Sequence, residues 1–270
     1  MSWVRELDPR QRAMLDEMGV KVWAPMPVAT PAPVPGMAAA PVAPPSPSPV
    51  SAPARSLAPA AAPTVASAPS TPPARPVDTA ALAHLGWDDL RQTVAACQAC
   101  GLCTSRRQTV FGAGQEQARW MIVGEAPGEQ EDRQGEPFVG PAGQLLDAML
   151  RATGRDRRTD ASGGVYIANV LKCRPPANRN PAPDEVLRCE PFLARQVALV
   201  QPKLIIAMGR FAVQSLLRTT EPIGKLRGRV HRYEGVPVIV TYHPAYLLRN
   251  PADKAKAWAD LCLALDQPLD

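Results

Sequence analysis

The sequence predicts an α/β fold, a three-layer α/β/α sandwich with a mainly parallel central sheet, preceded by a disordered N-terminal tail rich in proline and alanine. Two observations predict this organisation. Between residues 85 and 266, short apolar runs alternate with longer amphipathic runs, as in strands joined by crossover helices. Residues 24–77 hold 17 of the 32 prolines and 16 alanines, and such a segment buries too little apolar surface to offset the entropy of ordering it.

The chain before the sandwich divides in two. Residues 8–18 are expected to form a short helix, with Asp8 as its N-cap and Pro9 at its first position. Residues 1–23 then form a docking peptide, which binds either the folded domain or a partner protein; a frayed terminus is the alternative. Residues 24–77 are the linker, and residues 85–266 are long enough for one domain with a sizeable core.

Within the domain, strands and helices follow one another in order. Apolar runs predict strands at 120–123, 165–171 and 204–208, and the runs 229–233 and 236–241 flank Glu234-Gly235 as in a hairpin. Periodic apolar positions predict helices at 143–153, 184–200, 210–217 and 254–265. Pro191 removes a backbone donor inside the second of these helices, so we expect a bend there.

Three of the predicted strands run into unusual loops, after Val123, Ile167 and Val240. Ligands of parallel sheets bind beyond the carboxyl ends of the strands. The three loops therefore predict a single site at one edge of the sheet.

The first loop carries a Gly-Glu-Ala-Pro-Gly run at 124–128 and a second glycine-rich stretch at 135–143. Glycines let the backbone approach a ligand closely, and Phe138 is an aromatic side chain in this setting. Its ring either stacks on a flat base or packs beneath the loop in a small core, and spacing alone favours neither.

The other two loops contribute Asn169 and His243. An amide presents a donor beside an acceptor, which matches the O4 and N3–H edge of uracil and mismatches cytosine; a turn or cap residue is the ordinary alternative. His243 at a strand end suits a donor to a leaving group, although an isolated histidine is usually structural. Residues 246–249 form either a wedge that parts bases or the start of the last helix.

Four cysteines fall in two pairs, Cys97 with Cys100 and Cys173 with Cys189. Two distant pairs of thiolates meet only around a shared centre, which would fix the basic, proline-rich loop between the second pair. Ligand type suits Zn²⁺ and an iron–sulfur cluster equally. The wide second pair favours the cluster, because structural zinc sites usually present two tight knuckles. Cys103 is a further thiol nearby and competes with Cys100 as a ligand.

The net charge of +5 permits a nucleic-acid partner. Many basic residues lie beside the motif loops: Arg106, Arg107, Lys172, Arg174, Arg179, Lys225, Arg227, Arg229 and Arg249. No apolar run reaches membrane-spanning length, and the N-terminus lacks a hydrophobic signal segment. With six cysteines in a metal-like pattern, we expect a monomer in the reducing cytoplasm.

Over about residues 90–265, these motifs resemble the family 4 (iron–sulfur) uracil-DNA glycosylases. The resemblance depends on their order: Cys97-x2-Cys100-x-Leu102 leading to Val110-Phe-Gly112, the run at 124–128 with Glu131-Asp132, Gly-x-Pro-Phe-Val-Gly at 135–140, Asn-Val-Leu-Lys-Cys-Arg-Pro-Pro at 169–176, Cys189, and His243-Pro244. Each motif alone is weak evidence, whereas the series is specific.

The resemblance implies a repair enzyme that flips uracil out of DNA, hydrolyses its N-glycosidic bond and leaves an abasic site. It implies a 4Fe–4S cluster on Cys97, Cys100, Cys173 and Cys189, with Zn²⁺ as the alternative. Phe138 would stack on uracil, Asn169 would read its edge, His243 would stabilise the departing anion, and Glu131 would exclude the methyl group of thymine.

The same resemblance assigns the remaining site residues. Ala126 stands where the best-known branch of the superfamily has a water-activating aspartate, so Glu125 is our candidate to position the water. Gly124 and Ala126 would line the substrate site. The implied DNA contacts are Pro127, Gly128, Arg174, Tyr246, Leu248 and Arg249.

Two other functions stay open from the sequence. One is a DNA- or uracil-binding module of the same fold without turnover, recruited through its tail. The other is a variant that traps the abasic sugar covalently through His231, within the basic segment 225–232. We also expect that deleting residues 1–77 leaves glycosylase activity nearly intact.

Overall fold

One sheet organises the molecule. The computed structural model describes residues 9–17, 77–159 and 163–268, and within them the strands pair in the order β1-β3-β2-β4-β6-β5. The central strands β3, β2, β4 and β6 are parallel, and β1 and β5 add antiparallel edges. The strands are β1 Ala113–Gly114, β2 Trp120–Gly124, β3 Val165–Asn169, β4 Leu204–Met208, β5 Val230–Tyr233 and β6 Val236–Thr241.

Helices cover both faces of the sheet, which confirms the α/β sandwich with a mainly parallel sheet. They are α1 Pro9–Glu17, α2 Thr79–Leu82, α3 Trp87–Ala95, α4 Glu129–Gln134, α5 Pro141–Ala152, α6 Pro183–Val200, α7 Arg210–Leu217, α8 Ile223–Leu226, α9 Pro244–Arg249 and α10 Lys254–Leu265. Proline occupies the first turn of α5, α6 and α9, where its missing N–H costs no helical hydrogen bond. The predicted linker lies outside the described residues, apart from Val77.

Along each central strand, alternate side chains point to opposite faces of the sheet and pack into two separate apolar cores. Trp120 and Ile122 of β2 pack with α5 and α10 on one face. Met121 and Val123 pack with α6 and α7 on the other. Every residue of β2, β3 and β4 is buried, as expected for parallel strands covered on both sides.

The chain order creates a crevice at the carboxyl ends of the strands. After β2 the chain moves through α5 to β3 on one side, and it then returns through α6 to β4 on the other side. Because the loop after β2 leads to α5 and the loop after β4 leads to α7, on opposite faces, the two loops diverge. Open α/β sheets bind ligands at such a switch point.

Two predicted boundaries of the domain differ from the structure by two residues, and several others by one. The strand predicted at 165–171 ends at Asn169. The next two amides, Val170 N and Leu171 N, both donate to the same neighbouring segment, at the carbonyls of Gly124 and Glu125, so the alternation of a strand ladder stops there. The helix predicted to begin at Gly143 begins at Pro141. The predicted hairpin is confirmed as β5 and β6.

The short N-terminal helix α1 packs against α5 and α10. Leu15 is fully buried there, and Met14 contacts the same apolar core. Residues 9–17 thus contact the folded domain, and the docking role of residues 1–23 stays a prediction. None of the described helices combines the length and apolar character needed to cross a membrane.

Candidate active site and cysteine cluster

A cavity of about 780 Å³ opens at the carboxyl ends of the parallel strands. The structure brings together there the three side chains on which the predicted site depends, Phe138, Asn169 and His243. Further predicted residues in its wall are Glu125, Ala126, Pro127, Gly128, Glu131, Tyr246 and Arg249. Gly124 underlies the wall, whereas Arg174 and Leu248 are not part of the lining.

Phe138 is held in a conformation that few non-glycine residues adopt. Its φ is 56°, and its side chain is buried. A Cβ on Gly143 would lie 1.8 Å from the carbonyl oxygen of Phe138, so only glycine fits beneath this turn. Strained backbone of this kind persists where the surroundings over-determine it, often at functional sites.

Asn169 ends β3 and is 2 % exposed. It faces Gly124, the paired residue at the end of β2. A Cβ on Gly124 would lie 2.4 Å from Asn169 Oδ1 and 2.6 Å from Phe138 Cζ. The glycine thus lets the amide and the phenyl ring share one wall of the cavity.

His243 is a neutral hydrogen-bond donor at physiological pH. Burial, followed by the positive charge of Arg249, lowers the pKa of His243 to about 4. Its Nδ1 accepts a hydrogen bond from Ala245 N at 3.1 Å, which leaves the proton on Nε2. The imidazole lies against Phe138, with ring centroids 5.3 Å apart and an interplanar angle of 24°.

Glu125 joins the loops after β2 and β4. Its Oε1 accepts from Phe211 N at 3.0 Å, at the first turn of α7. Burial raises the pKa of Glu125, although the Phe211 amide and the charge of Arg210 oppose that rise. A Cβ on Gly209 would lie 2.5 Å from Glu125 Oε1, so this glycine makes room for the carboxyl group.

Glu131 binds the backbone on both sides of its own helix. Its Oε2 accepts from Gly128 N at 3.1 Å, which caps α4. Its Oε1 accepts from Val139 N at 3.0 Å and from Gly140 N at 3.4 Å. The carboxylate therefore anchors the Phe138 turn, and the thymine-excluding role suggested by the resemblance stays a prediction.

The residues predicted to touch DNA differ in their surroundings. Tyr246 donates to Asp253 Oδ2 at 2.6 Å, and Leu248 on α9 is exposed. Arg174 donates to Asn178 Oδ1 at 2.8 Å and lies 3.7 Å from Glu129. Arg249 is exposed beside the cavity.

Some of the basic residues noted in the sequence make hydrogen bonds or ion pairs within the protein. Lys172 is 1 % exposed, and Arg227 pairs with the buried Asp260 at 2.9 Å. Arg106 donates to Cys173 Sγ at 3.1 Å. Arg179 is exposed in the cavity wall and pairs with Glu185. Of the basic residues noted in the sequence, the others that are exposed are Arg107, Lys225, Arg229 and Arg249.

Sequence reasoning missed the contribution of β4 to the cavity. Gly209, Arg210 and Phe211 follow this strand and line the wall, and the Arg210 guanidinium lies 4.6 Å from the centre of the Phe211 ring. The signal was available, because a predicted parallel strand followed by glycine ends at the same edge as the other loops. His231 is not in the lining; its Nε2 lies 2.7 Å from the Leu226 carbonyl oxygen.

A second, small cavity is lined by five cysteine side chains. Cys97 follows α3, Cys100 precedes a tight 3₁₀ turn and Cys103 lies within it, Cys173 follows β3 and Cys189 belongs to α6. All are free cysteines. Backbone and arginine N–H groups point at the sulfurs: Ala99 N to Cys97 at 3.5 Å, Arg106 Nη1 to Cys173 at 3.1 Å and Lys172 N to Cys189 at 3.3 Å.

Burial raises the pKa of Cys173 to about 11 and that of Cys189 to about 12. Without a bound metal, both groups are therefore thiols at neutral pH, and binding of a metal would displace their protons. Across residues 9–17, 77–159 and 163–268, no three His, Cys, Asp or Glu side chains gather closely enough to hold a single metal ion. The sulfurs are thus spread around the cavity.

The sequence is also similar to proteins of known family. The sequence model of the Uracil DNA glycosylase superfamily matches residues 111–262. The chain is 44% identical over 172 residues to the Type-4 uracil-DNA glycosylase of Archaeoglobus fulgidus, covering 61% of this chain and 84% of the relative. It is 41% identical over 189 residues to that of Pyrobaculum aerophilum, with 67% and 94% covered. It is 42% identical over 172 residues to that of Saccharolobus solfataricus, with 61% and 78% covered. This chain belongs to the uracil-DNA glycosylase superfamily.

Proposed function

We propose that this protein removes uracil from DNA by hydrolysing the N-glycosidic bond, the first step of base excision repair. The observation that carries the proposal is the cavity in which a neutral histidine donor, a buried amide and an aromatic ring meet. Its relatives named Type-4 uracil-DNA glycosylase support the same reaction.

Recognition is assigned to Phe138 and Asn169. A flipped base stacks on the phenyl ring, a contact of about 1–3 kcal/mol. The Asn169 amide pairs with O4 and N3–H of uracil, and cytosine presents the inverse pattern to an amide of fixed orientation. Because Asn169 is 2 % exposed, an unmatched base would leave buried polar groups unpaired.

The bond breaks by departure of a uracil anion, so stabilising that anion is the main task of the protein. His243 Nε2–H donates to uracil O2 as negative charge develops there. One preorganised donor of this kind supplies roughly 3 kcal/mol, or a hundredfold or more in rate. The lowered pKa of His243 suits a neutral donor, which keeps its proton.

Water completes the reaction by adding to C1′ of the sugar, and its proton leaves to solvent or to a base. Glu125 is the candidate to orient this water, since it lies in the cavity wall. Its link to Phe211 N fixes one oxygen. In a loose transition state the nucleophile contributes little, so the alanine at position 126 is compatible with turnover.

We assign DNA binding to residues around the mouth of the cavity. Pro127 and Gly128 lie in the wall beside Tyr246 and Arg249, and the exposed Leu248 follows on α9. Flipping a nucleotide costs a few kcal/mol, least at a mismatched or unpaired base. Phosphate contacts from exposed arginines offset part of that cost.

Cys97, Cys100, Cys173 and Cys189 would hold a 4Fe–4S cluster. The fit rests on the donor set, since these cysteines line one cavity, and on N–H groups aimed at three sulfurs. A zinc ion is the alternative, because four thiolates also suit Zn²⁺. When bound, the cluster supplies a structural cross-link, and hydrolysis needs no redox step. We further propose a cytoplasmic monomer, with a protein partner for residues 1–23.

A single assay tests the proposed reaction. Purified protein is incubated with DNA containing one uracil, and released base and abasic sites are measured. We expect uracil release by the wild type and a loss of a hundredfold or more in His243→Ala. His231→Ala is the matched control and should keep full activity without any covalent adduct. A mobility shift with intact DNA would instead identify a binding module.

A further inference from the structure

Lys172 is a buried cation with unusual partners. Its side chain is 1 % exposed. Its Nζ donates to the carbonyl oxygen of Asn169 at 2.7 Å and to Gln196 Oε1 at 2.6 Å. Both acceptors are neutral, and negative charge would act on Lys172 from Cys189 and Cys173 only once these thiols have lost their protons.

Gln196 holds this arrangement from the other side. It is fully buried on α6. Its Nε2 donates to the Phe111 carbonyl at 2.9 Å and to the Tyr166 hydroxyl at 3.1 Å. With its amide nitrogen committed to acceptors, the Gln196 oxygen is oriented toward the lysine. The ammonium therefore has a fixed position between β3 and α6.

Lys172 also touches the cysteine cavity directly. Its backbone N donates to Cys189 Sγ at 3.3 Å, and the residue belongs to the lining of that cavity. One residue thus contacts a proposed cluster ligand with its main chain and the recognition residue Asn169 with its side chain.

We propose that Lys172 is a positioning residue that couples the cysteine cluster to Asn169, so that cluster binding orders the amide that recognises uracil. The inference rests on the proposed function and extends it. A buried ammonium is costly without opposite charge, and two carbonyl oxygens do not neutralise it. The thiolates of a bound cluster provide the missing negative charge, which keeps the ammonium on the Asn169 carbonyl.

Two properties follow from this coupling. Loss of the lysine head group frees the end of β3 and weakens recognition of the base, although no atom of Lys172 need touch the substrate. Uracil binding and cluster retention also favour each other, because a coupling free energy between two sites is reciprocal.

The first test compares Lys172→Met with the exposed control Lys203→Met, both carrying iron. Dissociation constants for free uracil are measured by calorimetry, beside iron content and melting temperature. We expect the uracil affinity of Lys172→Met to fall about tenfold, or about 1.4 kcal/mol, while Lys203→Met stays within about twofold of the wild type. A lower melting temperature with unchanged uracil affinity would assign Lys172 a merely structural role and overturn the proposal.

The second test uses the unmodified protein and stands even if Lys172→Met fails to fold. Bleaching of the visible cluster band by an iron chelator is followed with and without saturating uracil. We expect uracil to slow bleaching in the wild type, and to do so less in Gln196→Met, where the ammonium loses an acceptor. Equal protection by uracil in both proteins, or none in a wild type that releases uracil normally, would reject the coupling. A wild type that releases no uracil would instead reject the proposed function.

Discussion

At the scale of single residues, His243 shows how one side chain serves fold and chemistry together. Nδ1 accepts from Ala245 N and caps α9, and this bond selects the tautomer. Nε2–H is then the only ring hydrogen available for donation. A single tautomer of this ring therefore both caps the helix and presents the hydrogen-bond donor.

The lowered pKa of His243 predicts an unusual acid limit of activity. The ring is neutral above about pH 4, so kcat/KM should hold as pH falls through the ordinary histidine range of about 6.5. It should decline through about pH 4, where Nδ1 gains a proton and releases Ala245 N. Initial rates on uracil-containing DNA, measured across this pH range, check the prediction. A decline of kcat/KM near pH 6.5 in protein that is still folded would contradict it.

The same group affects stability with a definite sign. Its folded pKa lies below its unfolded value, so its contribution is fully present above about pH 6.5. As pH falls toward about 4, the unfolded chain gains the proton first and stability is lost, by on the order of 3 kcal/mol. Denaturation at each pH separates this loss from the loss of catalysis.

Sequence reasoning selected Asn169 and His243 because each lies near the end of a predicted strand, and Phe138 because it is an aromatic residue in a glycine-rich loop. It did not find the burial of Lys172, because a lysine among arginines in a basic loop has the appearance of a solvent-exposed residue. Its burial arises from the pairing of β3 with its neighbours and the packing of α6, which are contacts distant in sequence. The backbone contacts of Glu125 and Glu131 depend on tertiary structure in the same way.

At the scale of elements, α4 and the Phe138 turn behave as one unit through Glu131. The helix is only six residues long and has little stability of its own. The bond to Gly128 N and the bonds to Val139 N and Gly140 N tie it to the turn. The position of the stacking ring therefore depends on a helix cap.

We expect Glu131→Gln to weaken this unit, because its NH₂ group cannot accept from backbone amides. The free energy of unfolding should fall by about 1–3 kcal/mol, and KM for uracil DNA should rise more than kcat falls. Chemical denaturation and steady-state kinetics measure both. Unchanged stability and kinetics would contradict the anchoring role.

The long helices and central strands followed from apolar periodicity. The short elements α4, α8, α9 and β1 did not, since each spans too few residues for a period to register. Residues 246–249 illustrate this: α9 is a helix of its own, ended at Asn250 before α10 begins. Leu247 is buried, as the core interpretation expects, while Leu248 is exposed and the wedge interpretation stays a prediction.

At the scale of the whole molecule, the active-site crevice and the α1 contact occupy different parts of the domain. The crevice lies at the carboxyl ends of the strands, whereas α1 packs on α5 and α10. Removing α1 should therefore affect stability more than catalysis, as the sequence also led us to expect for deletion of residues 1–77.

Leu15→Asp tests this separation within the full chain, with Ala13→Asp on the exposed side of α1 as its control. Displacing Leu15 forfeits about 1.5–3 kcal/mol of apolar burial, so the melting temperature should fall while kcat/KM on uracil DNA is retained. Ala13→Asp should change neither. Equal melting temperatures for Leu15→Asp and the wild type would show that α1 does not contribute to the fold in solution.

The close approach of Phe138 and His243 bears on how the enzyme admits its substrate. Their ring centroids are 5.3 Å apart, less than two stacking intervals of about 3.4 Å each. A pyrimidine therefore does not lie between the rings; stacked on Phe138, it meets His243 with its O2 edge. Because the two rings are in contact, a shift of either one moves the other, so the aromatic platform and the hydrogen-bond donor keep one spacing.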